Sequence, residues 1–365
     1  MIVPTGPVAL VDLRALAANY RLLRERARPA AVGAAVKANA YGLGLEPVAR
    51  TLAAAGCRTF FAAQLDEALA LRAALPDVTV AVLHGLTPGE IGEAIARRIV
   101  PVINDLGGLE AWRARARGEP LPAFVHLDTG MSRLGLPAAE QDRLAAEPAR
   151  LDGVAILAWM SHLACADDTE HPKTPQQLAT FRAILGRLPA APASLANSCG
   201  IFWGQNYVFD LVRPGAALYG INPTPGRVNP MRDVVTVSAP ILQVRDVDAP
   251  ATVGYGATHT VRGKARIATI ALGYADGYHR SLGGKGHARI GPHLAPLVGR
   301  VSMDLLTLDV SAVPEAVARP GAMVDVIGPH RPVDAVAADA GTIGYEILTD
   351  LGPRIRRVYA PAGGA

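Results

Sequence analysis

Lys37 is a candidate catalytic residue because lysine is rare in this sequence. Of 36 lysines and arginines in the 365-residue chain, only Lys37, Lys173, Lys264 and Lys285 are lysines. Lys37 follows the apolar run "VGAAV" and precedes the segment "ANAYGLG". Arginine stays protonated, whereas a desolvated lysine can lose its proton and attack a carbonyl carbon to form an imine. The alternative is a structural lysine at a strand end whose amine reaches solvent.

Further polar residues follow other predicted strands. Arg133 comes after "AFVHLDTGMS", His162 after "VAILAWMS", and Arg213 after "DLV". Asn197 and Ser198 follow "SLA" in the same way. Each residue alone has an ordinary structural explanation, such as a turn or a buried histidine. Together they are typical of a site built on strand ends.

The segment "RPGAALYG" is a candidate phosphate site. Its Gly215 and Ala216 follow a short predicted strand, and backbone amides at such a turn can bind a phosphate group. The alternative is a helix start without a ligand.

The elements that would position these residues alternate between strand and helix. Asp12 is predicted to cap a first helix. Eight short apolar runs then recur, most of them separated by helical segments such as "LDEALALRAAL" and "QQLATFRAIL". The runs are "AAVGAAVK", "RTFFAA", "VTVAVLHG", "IVPVIN", "AFVHLDTG", "VAILAWMSH", "ASLANS" and "DLVRPG". This α/β pattern predicts a (β/α)₈ TIM-type barrel, with an open doubly wound sheet as the alternative.

A second domain is predicted after the barrel. The segment "INPTPGRVNP" resembles a linker, and "VVTVSAPILQVRDV", "ARIATIAL", "LLTLDV" and "AMVDVIG" beyond it are typical of strands. We therefore predict a barrel over residues 8–224 and a β-dominated C-terminal domain over residues 225–365. Residues 1–7 are candidates to join the second domain.

Composition excludes several partners. The net charge is only +4, and no basic cluster is interleaved with aromatic residues as a nucleic-acid surface requires. The three cysteines have neither metal-site spacing nor the even number of a full disulfide set. No export signal or membrane-spanning apolar segment is found in the sequence. We expect a cytoplasmic protein with no metal, membrane or nucleic-acid partner.

Eight segments, taken in chain order, resemble the successive motifs of the alanine racemases. These enzymes use pyridoxal 5′-phosphate on fold type III. The segments are "AVKANAYGLG", "HLDTGMSRLG", "SHLACAD", "LANSCGIF", "VRPGAALYG", "LGYADGYHR", "GRVSMD" and "GTIGYEILT". The resemblance runs from about residue 5 to the C-terminus, and it implies a barrel, a C-terminal β domain and a homodimer with shared active sites.

The resemblance also implies roles for particular residues. Lys37 matches the lysine that binds the cofactor covalently and acts as one base, and Tyr274 matches the second base, supplied by the partner subunit. Arg133 and the backbone amide of Met303 match the groups that hold the substrate carboxylate. The residues that would surround the cofactor, besides Lys37, are Tyr41, His162, Asn197, Ser198, Arg213, Gly215 and Ala216.

The implied reaction interconverts L-alanine and D-alanine, the latter for peptidoglycan. Racemisation needs one base on each face of a planar carbon, which Lys37 and Tyr274 would provide. Arg213 would face the pyridine nitrogen of the cofactor, where it would keep the ring unprotonated, since arginine does not give up its proton. An unprotonated ring stabilises a carbanion only modestly, which favours rapid return of the proton.

Two positions depart from the family pattern. His126 stands seven residues before Arg133, where many members have a carbamylated lysine that orients the arginine. Arg133 must then be positioned by a bound anion or by His126 itself. A second phosphate-binding tyrosine, frequent after "GYEILT", is missing, because that stretch reads "DLGPRIRR".

Three alternative functions stay open at this stage. A non-enzymatic pyridoxal phosphate carrier has a similar barrel, but it lacks the β domain that residues 230–365 supply. A fold type III decarboxylase has both domains, and Arg213 and "GYADGY" argue against it. A broad-specificity racemase of serine, lysine or arginine is poorly distinguished by sequence alone.

Overall fold

The computed structural model describes residues 6–361, and the first of its two structural units is a parallel barrel. Strand β1 (Val8–Asp12) lies outside this barrel. The barrel strands are β2 (Ala31–Val32), β3 (Ala34–Ala35), β4 (Thr59–Ala62), β5 (Thr79–Val82), β6 (Ile99–Ile103), β7 (Leu121–His126), β8 (Val154–Met160), β9 (Ala193–Ser194) and β10 (Leu211–Val212). Strands β3 to β9 form one parallel sheet in chain order.

The barrel is closed by its last strand. Strand β10 pairs in parallel with β2, which Gly33 separates from β3. On its other side, β10 is bonded to the β9 segment. The amide of Asp210 donates to the carbonyl of Ala193 at 3.0 Å, and the amide of Arg213 donates to the carbonyl of Ala196 at 2.9 Å. The predicted barrel is therefore confirmed, and the open-sheet alternative is wrong.

Helices alternate with these strands. They are α1 (Leu13–Arg26), α2 (Lys37–Tyr41), α3 (Leu45–Ala54), α4 (Leu65–Ala74), α5 (Ile91–Ala96), α6 (Leu106–Arg113), α7 (Ala138–Ala146), α8 (Lys173–Leu185), and later in the chain α9 (Val333–Ala340) and α10 (Gly344–Thr349). Of these, α2 is a short left-handed turn and not a regular α-helix. Asp12 caps α1 as predicted, accepting hydrogen bonds from the amides of Arg14 and Ala15. In the described range, no helix is both long and apolar enough to cross a membrane.

The second unit is mostly β, as predicted. Its strands are β11 (Val235–Asp248), β12 (Ala251–Val253), β13 (His259–Val261), β14 (Lys264–Ile270), β15 (His287–Ile290), β16 (His293–Pro296), β17 (Leu306–Asp309), β18 (Met323–Ile327) and β19 (Arg356–Ala360). Its main sheet has the order β16-β15-β18-β11-β1-β19, and β14 joins it through β11 and carries β17.

The first strand belongs to this second unit. Strand β1 pairs antiparallel with β11 and parallel with β19. Residues 8–12, which the sequence-based range assigns to the barrel, thus extend the C-terminal sheet, because a strand's apolar pattern does not identify its neighbour. Of the candidate segment 1–7, residues 1–5 lie outside the described residues. The boundary near residue 224 stays a proposal.

The barrel interior is packed below its open end. Phe61, Phe124 and Met160 belong to one buried apolar cluster, and the rings of Phe61 and Phe124 are 5.4 Å apart. Phe61 and Met160 also line a cavity at the carboxyl ends of the strands. The packed interior therefore forms the floor of that cavity.

Candidate active site

The cavity brings together most of the predicted site residues. It has a volume of about 720 Å³ and opens where the barrel strands end. Nine of the eleven predicted site residues line it, namely Lys37, Tyr41, Arg133, His162, Asn197, Ser198, Arg213, Gly215 and Ala216. His126 lines it as well. Residues that are far apart in sequence meet because parallel strands deliver their ends to one face of the barrel.

Lys37 is followed by an unusual left-handed turn. Ala38, Asn39, Ala40 and Tyr41 have φ angles of 53° to 54°, a region that side chains other than glycine rarely occupy. The Tyr41 ring at the end of this turn stacks on that of Tyr219, with centroids 4.5 Å apart. The turn thus orients Lys37 and Tyr41 toward the same cavity.

The environment of Lys37 favours its neutral form. Burial lowers the pKa of its amine, and the positive charge of Arg133 lowers it further, while Glu67 acts in the opposite direction. An amine with a lowered pKa is unprotonated more often near neutral pH. Lys37 is therefore suited to act as a nucleophile or as a base.

Tyr41, Ser198 and Gly215 form a small polar cradle. A side chain on Gly215 would overlap the Tyr41 hydroxyl oxygen, so only glycine allows this close approach. The Ser198 hydroxyl accepts hydrogen bonds from the amides of Gly215 and Ala217 at 3.0 and 3.1 Å. Both acceptor positions of Ser198 are then used, which leaves its proton to be donated. Burial raises the pKa of Tyr41 to about 12, so its hydroxyl also remains a donor.

The Gly215 amide belongs to the same cradle and donates to the Ser198 hydroxyl. Its assignment to a phosphate group stays a prediction. The cradle still offers protonated donors and a close backbone approach, which are features that suit a phosphate group.

Arg213 is a buried cation held by neutral oxygens. Its guanidinium donates to the Ser161 carbonyl at 2.5 Å and to the Ser194 hydroxyl. Burial lowers its pKa to about 10, which still leaves it charged near neutral pH. Burial, followed by the charge of Arg213, holds the pKa of His162 well below its usual range. The site thus presents a permanent cation beside a neutral imidazole.

Arg133 lies on a loop with a fixed backbone. The Asp128 carboxylate accepts hydrogen bonds from the amides of Gly130, Met131 and Ser132 at 2.9 to 3.2 Å. The loop therefore has a defined path, although the Arg133 side chain is exposed and reaches the cavity wall.

Tyr274 and Met303 do not line the cavity of their own chain. The two residues are 42% and 54% exposed. They lie side by side, because the amide of Tyr274 donates to the Ser302 carbonyl and the amide of Ala275 donates to the Met303 carbonyl. The chain therefore presents these two predicted site residues together on its surface, apart from Lys37.

The structure adds site residues that the sequence analysis did not assign. Tyr345 and Thr349 of α10 line the cavity, and the Tyr345 ring is 6.1 Å from that of Tyr41. Both lie in the segment "GTIGYEILT", which the resemblance identified without giving any residue a role. Glu67 was also missed. Its carboxylate accepts hydrogen bonds from the amides of Ala38 and Ala63, so its partners are backbone groups that no side-chain pattern identifies.

Two family models match the chain. The model "Alanine racemase, N-terminal domain" matches residues 11–223, and "Alanine racemase, C-terminal domain" matches residues 234–359. Among curated relatives, an alanine racemase of Rhodospirillum rubrum is 50% identical over 353 residues, covering 96% of this chain and 94% of the relative. One of Brucella canis is 48% identical, covering 98% and 95%.

Solved structures of alanine racemases are also similar to this chain. The alanine racemase of Bartonella henselae with covalently bound pyridoxal phosphate is 41% identical, with a TM-score of 0.94, covering 98% of this chain and 100% of that one. The biosynthetic alanine racemase of Pseudomonas aeruginosa is 36% identical, with a TM-score of 0.92 and the same coverage. The similarity thus extends over both structural units.

Proposed function

The chain belongs to the alanine racemase family, and on that premise we propose that it uses pyridoxal 5′-phosphate to interconvert L-alanine and D-alanine. The observation that carries the proposal is the position of Lys37, whose pKa is lowered, in one cavity with the cradle of Tyr41 and Ser198. A covalent anchor and a phosphate cradle within one cavity suit this cofactor.

The residues present fit the cofactor. The cradle supplies two hydroxyl donors, and the space beside Gly215 would be filled by any side chain there. A similar Bartonella henselae structure contains covalently bound pyridoxal phosphate. When bound, the cofactor draws electrons from the α-carbon of the amino acid and so acidifies its α-proton. Lys37 would hold it covalently, and Tyr41, Ser198 and Arg213 would orient it.

The protein's own task is to move a proton between two faces of the α-carbon. When the substrate amine takes its place on the cofactor, Lys37 would be released as a free amine, which accepts the proton on one face and, as an ammonium, returns it. Tyr274 of the partner subunit serves the opposite face, which accords with its exposure and with its absence from the cavity lining of its own chain. The proposed unit is therefore a homodimer, in which each site takes residues from both chains.

Arg213 and His162 limit side reactions. Neither offers an acidic proton near neutral pH, because Arg213 keeps its charge and His162 is neutral. A pyridine nitrogen beside Arg213 would stay unprotonated. The proton would then return to the α-carbon soon after it leaves, which favours racemisation over transamination.

Arg133 and the Met303 amide are the proposed carboxylate ligands. Arg133 reaches the cavity from its own chain, and Met303 would come from the partner together with Tyr274. We assign the enzyme to the cytoplasm, where D-alanine would supply peptidoglycan synthesis. The three cysteines, which are all unpaired, accord with a reducing compartment.

A panel of L-amino acids tests this function. The purified, cofactor-loaded protein is incubated with alanine, serine, lysine and arginine, and D-enantiomers and carbon dioxide are measured. We expect D-alanine as the main product. Comparable rates with all four would instead indicate a broad-specificity racemase, carbon dioxide a decarboxylase, and no turnover a carrier. Borohydride treatment should attach the cofactor to the peptide containing Lys37, with Lys173, Lys264 and Lys285 as internal controls.

A further inference from the structure

His126 has a fixed hydrogen-bond partner beside the active-site cavity. It ends β7, and its Nδ1 lies 2.9 Å from Oδ1 of Asn104, which follows β6. The Nδ2 of Asn104 donates to the carbonyls of Leu83 and Val102, both at 3.1 Å. Because carbonyls only accept, the amide of Asn104 has one orientation, with its oxygen toward His126. The proton of the imidazole must therefore be on Nδ1.

The opposite nitrogen of the ring is then an acceptor. Burial, reinforced by Arg213 and Arg133 and opposed by Asp128, lowers the pKa of His126 to about 4. His162, which is neutral, and Lys37 also lie along this cavity. The His126 ring is therefore neutral near pH 7, and its Nε2 keeps a lone pair.

The ring is also held in place by packing. Gly135 has a φ of +103°, and a side chain there would lie 3.0 Å from the Cγ of His126. The amide of Leu136 donates to the His126 carbonyl at 2.7 Å, and the amide of Asp128 donates to the Leu136 carbonyl at 3.0 Å. These contacts pack the loop that carries Arg133 against His126.

We propose that His126 is a positioning residue for Arg133, with its Nε2 accepting a hydrogen bond from the guanidinium. The inference rests on the proposed function, in which Arg133 binds the substrate carboxylate. Arg213 already donates to Ser161 and Ser194, whereas Arg133 is carried by the loop packed on the ring. A neutral acceptor fixes Arg133 without cancelling its charge, so the full charge remains for the carboxylate. A carboxylate at this position would compete with the substrate.

Two amide substitutions distinguish the role of Nδ1 from that of Nε2. In His126→Gln the amide reaches the position of Nε2, so an acceptor for Arg133 is kept and the bond to Asn104 is lost. In His126→Asn the amide stays near the position of Nδ1, so the Asn104 bond is kept and the acceptor is lost. We expect His126→Asn to raise KM for alanine about tenfold, the effect of one hydrogen bond to a charged group, with kcat changed less than about threefold. His126→Gln should remain within about threefold of wild type in both parameters.

Asn104→Asp adds a pH test. A carboxylate beside Nδ1 stabilises the imidazolium and raises the pKa of His126. The protonated ring has no lone pair and repels Arg133, so KM should rise as pH falls from 8 to 6 in this variant and not in wild type. His330→Asn, on an exposed turn of the second unit, serves as the matched control and should keep wild-type parameters.

The tautomer is measured independently of turnover. Two-bond ¹H–¹⁵N spectra of ¹⁵N-histidine-labelled protein should show His126 with its proton on Nδ1 at pH 7, assigned by comparison with His126→Gln. A proton on Nε2, an imidazolium at pH 7, or equal KM increases in the Asn and Gln variants would overturn the proposal. Wild-type protein that racemises no amino acid would refute the proposed function, and the tautomer result would still stand by itself.

Discussion

The carboxylate of Glu67 holds the backbone amide of Ala38 at 2.6 Å, directly after Lys37. Its second oxygen accepts from the amide of Ala63 at 2.8 Å, so one side chain ties the left-handed turn to the end of β4. Glu67 also opposes the lowering of the Lys37 pKa. It thus supports both the shape of the turn and the charge balance at the proposed nucleophile.

We predict that Glu67→Gln destabilises the protein by about 1–3 kcal/mol, because an amide can accept one of these hydrogen bonds while its NH₂ group opposes the other backbone donor. Loss of cofactor should accompany the change, since the turn carries Lys37 and Tyr41. Urea unfolding and the bound-cofactor absorbance measure the two effects. Glu93→Gln, which breaks a surface ion pair with Arg97, is the control and should cost less than about 1 kcal/mol. Equal losses in both variants would contradict the role of Glu67.

Gly42 ends the same turn and contacts the second unit. Its φ is +78°, and a side chain there would overlap the backbone carbonyl oxygen of Leu348 in α10. Gly341 has a φ of +77°, and a side-chain carbon added to it would meet no neighbouring atom within 4 Å. The two glycines thus share a conformation and differ in the space around them.

We expect Gly341→Ala to cost about 1–2 kcal/mol, the strain of the left-handed conformation. Gly42→Ala should cost at least about 1 kcal/mol more, because the colliding atom belongs to the backbone and cannot rotate away. Denaturant unfolding of both variants gives the difference. Similar losses would mean that the turn and α10 separate easily.

The barrel and eight of the nine cavity residues were predicted from local patterns, and Tyr41 was predicted from the family resemblance alone. A parallel barrel gathers its strand ends, so residues such as Lys37 and Arg213 could be grouped from strand prediction alone. Glu67 and Asn104 were not predicted. Glu67 binds only backbone amides, and Asn104 binds backbone carbonyls and the His126 side chain on neighbouring strands. The pairing of β1 with β11 depends on sequence-distant neighbours, which apolar alternation does not identify.

Lys37 should make the cofactor-free protein less stable at neutral pH. Its folded-state pKa lies below the ordinary value of 10.5, so between these two values the unfolded chain binds more protons than the folded one. Wild-type stability must then rise with pH across that window. Relative to Lys37→Met, which cannot titrate, the wild type should gain stability as the pH rises through that window toward 10.5. Urea unfolding of both cofactor-free proteins tests this, and a difference that stays constant with pH would contradict it.

Each active site is predicted to take its two bases from different subunits. Lys37 lines the cavity, whereas Tyr274 lies on the surface beside Met303. Lys37→Ala and Tyr274→Phe homodimers should each be nearly inactive, since every site then lacks one base.

Mixing the two variants should restore activity if each site takes one base from each chain. Random pairing after co-expression makes about half of the dimers mixed, and each mixed dimer has one site with both bases and one with neither. Roughly a quarter of wild-type activity should therefore return, with the mixed dimers verified by mass. If both bases belonged to one chain, every site would still lack one of them, and mixing would restore nothing. Recovery would identify Lys37 and Tyr274 as bases from different subunits, because no site built within one variant chain contains both.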